Sequence, residues 1–178
     1  TRWQCAQCHN HPFERFQQAD YYGLAAMFAR VRQTNDGVVH FIRGEVVFPR
    51  TGKAAQPTFP DGSPGEVEGD RRVKLAAWVA GQPQLRQAFA NRVWALLMGR
   101  GLVHPVDDFR ASNPPTHPGL LEELSQLETI PEIAGAIARS AAYQRTTCQL
   151  TVARDASRAG ERFYAYFPSK PLDAEVLV

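Results

Sequence analysis

Between Pro49 and Gly69 the chain sets prolines at 49, 57, 60 and 64 and glycines at 52, 62, 65 and 69. Proline removes a backbone donor and fixes φ, while glycine carries excess backbone entropy. No helix or strand of ordinary length crosses such a stretch. The chain is therefore divided. Residues 1–50 and 70–178 are expected as separate regions, and 51–69 is expected as a linker unless it packs as an ordered surface loop.

Beyond residue 70 the apolar spacing turns helical. Val73, Ala76, Ala77 and Ala80 mark one short face, broadened by Leu75, Trp78 and Val79. A longer helix begins near Pro83, carries Leu85, Phe89, Val93, Leu96 and Leu97, and ends at Gly99. A third follows Thr116-His117-Pro118 with Leu120, Leu121, Leu124 and Leu127 inward. Thr129 and Glu132 form a capping box for a fourth, which bears Ile133, Ile137 and Ala141.

The region before Pro49 has one helix and one hairpin by the same reading. Asp20 is the expected N-cap, Leu24, Met27, Phe28 and Val31 share a face, and Gly37 ends the helical region. Residues 38–48, β-branched and aromatic around Gly44, predict a small hairpin. The fold class is mainly α: a helical domain with a small β-hairpin and long irregular loops.

The densest chemistry lies at the start, in Cys5-Ala6-Gln7-Cys8-His9-Asn10-His11. C-x-x-C-H is the spacing of covalent c-type haem attachment: two thiols bond the two vinyl groups, and the adjacent imidazole faces the iron. Haem c is the leading cofactor expectation, with Cys5 and Cys8 as tethers and His9 as iron ligand. Two other readings stay open. Cys5, Cys8, His9 and His11 could hold zinc, although no second ligand pair follows. A redox-active thiol pair normally follows a strand and opens a helix, which nothing here indicates. His11 is a weak metal candidate that more simply holds the loop by hydrogen bonding. For a sixth iron ligand, His40 and Met98 rank first, while Met27 fits a helix face and His104 and His117 fit surface or capping duty.

A second polar segment runs from Arg92 through Arg100, Asp107, Asp108 and Arg110. Paired carboxylates beside arginines serve acid–base chemistry or bind cations. The simpler reading has the aspartates capping backbone amides and pairing with the arginines to hold a long loop.

Composition removes several classes. A formal net charge of +2 without a basic stripe gives no nucleic-acid footprint. No run of about 18 apolar residues is present to span a membrane. Three cysteines, two of them in the motif, make no disulfide framework, and Cys148 is expected as a buried inert thiol. The chain starts four residues before the motif and closes on Asp173–Val178, which reads as a helix beginning. A fragment of a longer protein is expected, so the lack of a signal peptide carries no information about export.

Cys5–Phe13 followed by Asp20-Tyr21-Tyr22-Gly23-Leu24-Ala25-Ala26 resembles the end of the planctomycete and verrucomicrobial cytochrome-type domain of unknown function. Asn91-Arg92-Val93-Trp94, Gly99–Val103, Pro105–Arg110, Asn113-Pro114-Pro115, Ser140–Gln144 and Leu172–Glu175 resemble the partner domain that follows it. The resemblance implies a large exported protein, periplasmic or at the cell surface, whose partners are its own other domains and a redox partner. It leaves the biochemical activity undefined and carries over only Cys5, Cys8 and His9, as thioether sites and proximal ligand, while the motif itself points to haem-based electron transfer or redox support. It does not settle whether the protein is an enzyme. The alternatives are a structural or interaction module with a Cys/His metal site or no cofactor, and part of a hydrolytic or carbohydrate-binding protein.

Overall fold

The computed structural model describes residues 3–145 and 160–166. Its elements are a 3₁₀ turn, Trp3–Gln7, then α1 (Gln18–Met27), β1 (Val31–Thr34), β2 (Gly37–His40), β3 (Val47–Phe48), β4 (Lys53–Ala54), α2 (Arg71–Ala80), α3 (Pro83–Met98), α4 (Pro118–Ser125) and α5 (Ile130–Arg139). The elements are mainly helical, joined by long loops. The chain folds as two compact units that meet in sequence between Gln82 and Pro83.

In the first unit, α1 starts at an N-cap Gln17 whose backbone N–H donates to Asp20 Oδ2 at 2.8 Å. Asp20 thus serves from the third helical position and not as the N-cap itself. The helix ends at Met27, earlier than expected, because Phe28 and Ala29 tighten onto Ala25 and Ala26 through i→i−3 bonds. Val31 opens a strand instead. β1 and β2 pair antiparallel with Thr34 opposite Gly37. Gly37, at φ 117°, closes the Asn35-Asp36 turn. The expected hairpin over 38–48 is therefore displaced: its first residues belong to β2, and Val47-Phe48 pairs with Lys53-Ala54 in a second hairpin.

Residues 51–69, expected as a linker, are built into this unit. Thr58 N–H donates to Gly23 O at 3.1 Å and Gly65 N–H to Pro57 O at 2.8 Å. The close approach explains Gly23, since a Cβ there would collide with the Thr58 hydroxyl. Apolar burial is thin: Ala6, Ala26, Met27, Ala29 and Leu75.

A buried arginine supplies what the small core does not. Arg71, 1% exposed in the first turn of α2, donates to Ala26 O (2.8 Å), Val67 O (3.1 Å), and both carboxylate oxygens of Glu45 (3.0 and 2.8 Å). Glu45 also accepts from Arg30 at 3.0 Å. The α2 face read from alanine spacing is exposed. Arg71 and Leu75 are buried instead, with Trp78 half-buried and stacked on Phe59 at 5.8 Å.

The second unit has an apolar core of Ala90, Val93, Trp94, Met98, Leu102, Val103, Leu121, Leu124, Ile133, Ile137 and Tyr164. Pro83 and Gly99 bound α3 as expected, with Gly99 at φ 76°. Its buried face, however, is Ala90, Asn91, Val93, Trp94 and Met98, while Leu85, Phe89 and Leu96 are exposed. In α4, Leu121 and Leu124 are buried as expected, whereas Leu120, and Leu127 just beyond the helix, are only half-buried. The Thr129–Glu132 capping box forms: Thr129 N–H donates to Glu132 Oε2 at 3.0 Å and Glu132 N–H to Thr129 Oγ1 at 3.4 Å.

Candidate functional site

The motif occupies the 3₁₀ turn and the residues after it. Cys8 N–H and His9 N–H both donate to Cys5 O at 3.4 Å, so the two thiols sit one turn apart. Both cysteines are free and exposed, and Ala6 between them is fully buried. Burial of the small residue seats the turn while its neighbours face outward.

His9 is exposed, and its Nδ1 lies 2.8 Å from the carbonyl of Asn10. Such a bond fixes the tautomer with the proton on Nδ1 and leaves Nε2 as the ligand nitrogen. His11 is engaged within the loop instead. Its Nδ1 accepts from Phe13 N–H at 3.2 Å, and its own N–H donates to Phe16 O at 2.8 Å, so it holds the loop. Among the described residues no three of His, Cys, Asp and Glu gather as a metal-ion set. Apolar surface beside the motif comes from Trp3 against Phe16, ring centroids 4.2 Å apart, and from exposed Phe13.

Two side chains that sequence reasoning passed over tie this turn to α1. Gln18 Nε2 donates to Gln7 O at 3.0 Å and Cys8 O at 3.3 Å, while Gln18 N–H donates to Asn10 Oδ1 at 3.1 Å. The helix start and the motif turn therefore cap each other. The only signal in the sequence was an amide residue on either side of the loop, which is not diagnostic.

Of the other iron-ligand candidates, His40 ends β2 in the first unit, and its buried Nε2 has no hydrogen-bond partner among the described residues. Met98 is 0% exposed in the core of the second unit, where its sulfur is packed away from solvent. Cys148 and Leu172–Glu175 lie outside the described residues.

The polar segment runs from α3 into the loop that follows it. Asp108 Oδ2 lies 3.1 Å from Arg110 Nε as an ion pair. Arg92 and Asp107 share a shallow cleft of about 420 Å³ with Leu85, Phe89, Val106 and Phe109. Arg100 contributes its carbonyl, which accepts from the buried Tyr164 hydroxyl at 2.9 Å, and burial pushes that phenol up to about 12. Burial, with Arg100 adding to it, pushes the His104 pKa down.

What organises the segment is Asn91, which is fully buried. It donates to Val103 O (3.0 Å) and Val106 O (3.1 Å) and accepts from Val103 N–H (2.9 Å). Gly101 lies so close that a Cβ would strike Val103 O. Asn113 adds a donor to Asp108 O at 3.0 Å. Asn91 and Asn113 thus order the backbone of the loop that carries Asp107, Asp108 and Arg110.

Residues 1–33, covering the motif and α1, match PSCyt2, a protein family of unknown function (DUF1549). Residues 71–178 match PSD1, a protein family of unknown function (DUF1553), starting at the buried Arg71. No curated protein and no solved structure matches the chain. The second family spans more than half of the residues, and the chain belongs to the PSD1 (DUF1553) family, carrying a PSCyt2 (DUF1549) segment ahead of it.

Proposed function

We propose that Cys5, Cys8 and His9 are a c-type haem attachment site, and that the chain serves electron transfer or redox support within a larger exported protein. The observation that carries this reading is the geometry of the motif. Two free, exposed thiols stand one 3₁₀ turn apart, and the next residue is an imidazole whose Nδ1 is already engaged by a backbone carbonyl. This donor set fits haem c, which when bound supplies a one-electron ferrous–ferric couple.

Each residue then has a distinct role. Cys5 and Cys8 tether, and His9 offers Nε2 to the iron. Asn10 holds the imidazole by its carbonyl, which fixes the ring's tautomer and orientation. Trp3, Phe13 and Phe16 give apolar surface beside an otherwise open site. His40 is the stronger candidate for a second ligand, since Met98 is committed to the core of the other unit.

The test is a reduced pyridine haemochrome spectrum of the chain matured in a host able to attach haem c. The wild type is expected to give a two-thioether band. Cys5→Ser and Cys8→Ser should each shift it toward the one-thioether form. A colourless wild-type protein would contradict the proposal.

A further inference from the structure

We infer that Gln18 and Asn10 are a positioning pair for the attachment turn, an inference that rests on the haem reading above. The carbonyls of Gln7, which ends the 3₁₀ turn, and of Cys8, which follows it, accept no backbone N–H among the described residues. Both are exposed to competition from water, and a turn of five residues has little cooperativity to resist fraying. The Gln18 amide closes both at once, from the first position of a helix that is itself anchored in the unit. Asn10 returns the contact by accepting the Gln18 N–H, which no helical carbonyl serves, and uses its own carbonyl to hold the His9 ring. The residues that present the tethers and the residue that aims the ligand are therefore fixed through one reciprocal clamp, closed across eight to eleven positions of chain.

The clamp acts through backbone atoms, so its removal leaves Cys5, Cys8 and His9 in place and changes only their order. Gln18→Leu keeps the size and loses the donor, and Gln18→Lys returns a donor of similar reach. In the full chain without haem, hydrogen exchange at the Cys8 and His9 amides should accelerate about thirtyfold in Gln18→Leu, the loss expected for two ordinary hydrogen bonds, and return toward wild type in Gln18→Lys. In haem-loaded protein the visible α band of the ferrous form should broaden in Gln18→Leu and sharpen again in Gln18→Lys. Unchanged exchange and an unchanged band would overturn the inference. If Gln18→Leu unfolds the first unit by circular dichroism, Asn10→Ala puts the same question from the other side. It removes only a side-chain acceptor, and equal protection at Cys8 and His9 would then overturn the clamp. Failure of the haem reading is distinguished by a wild-type protein that carries no haem at all, because the exchange result decides the clamp with no cofactor present.

Discussion

The two units solve the same packing problem with different chemistry. The second closes over a continuous apolar core in which Trp94, Met98, Leu102, Ile133 and Ile137 are essentially inaccessible to water. The first buries mostly alanines with Met27 and Leu75, and ties its segments together through Arg71, Glu45 and Arg30. Apolar burial carries no charge to titrate or screen, whereas a charge-assisted centre is open to both. The motif sits in the polar-held unit. Its own order is likewise kept largely by amide and carbonyl contacts, with Ala6 its one buried residue.

Trp94→Ala breaks the comparison most sharply. Deleting a fully buried indole that packs edge-on against Tyr164 at 5.1 Å should cost about 3–5 kcal/mol. Denaturant titration followed residue by residue should show the loss in the second unit, whose core the indole fills.

Arg71→Met comes next, at about 2–4 kcal/mol, read at the first unit. It strips donors from two carbonyls and leaves Glu45 without its main partner. Glu45→Gln should cost less, about 1 kcal/mol, because that side chain is 38% exposed and water and salt already share its charge.

Acid gives the smallest and most diagnostic difference. The Arg71 hydrogen bonds hold the Glu45 pKa below its ordinary value, with desolvation opposing them and Arg30 adding to them. Arg72 holds Asp70, the α2 N-cap, at about 2. A carboxylate with a lowered folded-state pKa stabilises the fold fully above its unfolded value, and that contribution is lost as pH falls through the folded one. The first unit should therefore soften between about pH 4.5 and 2 while the buried apolar core of the second holds longer. Chemical shifts followed over that range would show whether the order of loss is as stated.

Element ends were legible in the sequence where a single residue type decides them. Pro83 and Gly99 bound α3, and Thr129 with Glu132 opens α5, since caps act within one turn. Faces were less legible. Apolar periodicity selected Leu85, Phe89 and Leu96 on α3, but the buried side includes Asn91, whose partners lie in a loop more than ten residues on. Arg71 is buried only because Glu45 and the Ala26 carbonyl converge on it from distant sequence. The turn signal at Asn35-Asp36-Gly37 was present and outweighed by the β-branched run after it. At the motif, the spacing of Cys5, Cys8 and His9 was plain, while the Asn10–Gln18 clamp depends on a loop closure that no local pattern encodes.

The most direct measurement is the intact mass, under denaturing conditions, of the chain exported from a host with cytochrome c maturation machinery. The account predicts a mass greater than the polypeptide by one covalently bound haem, lost when Cys5 and Cys8 are both replaced by serine. A bare polypeptide mass, with the thiols free to alkylating reagent, would contradict it.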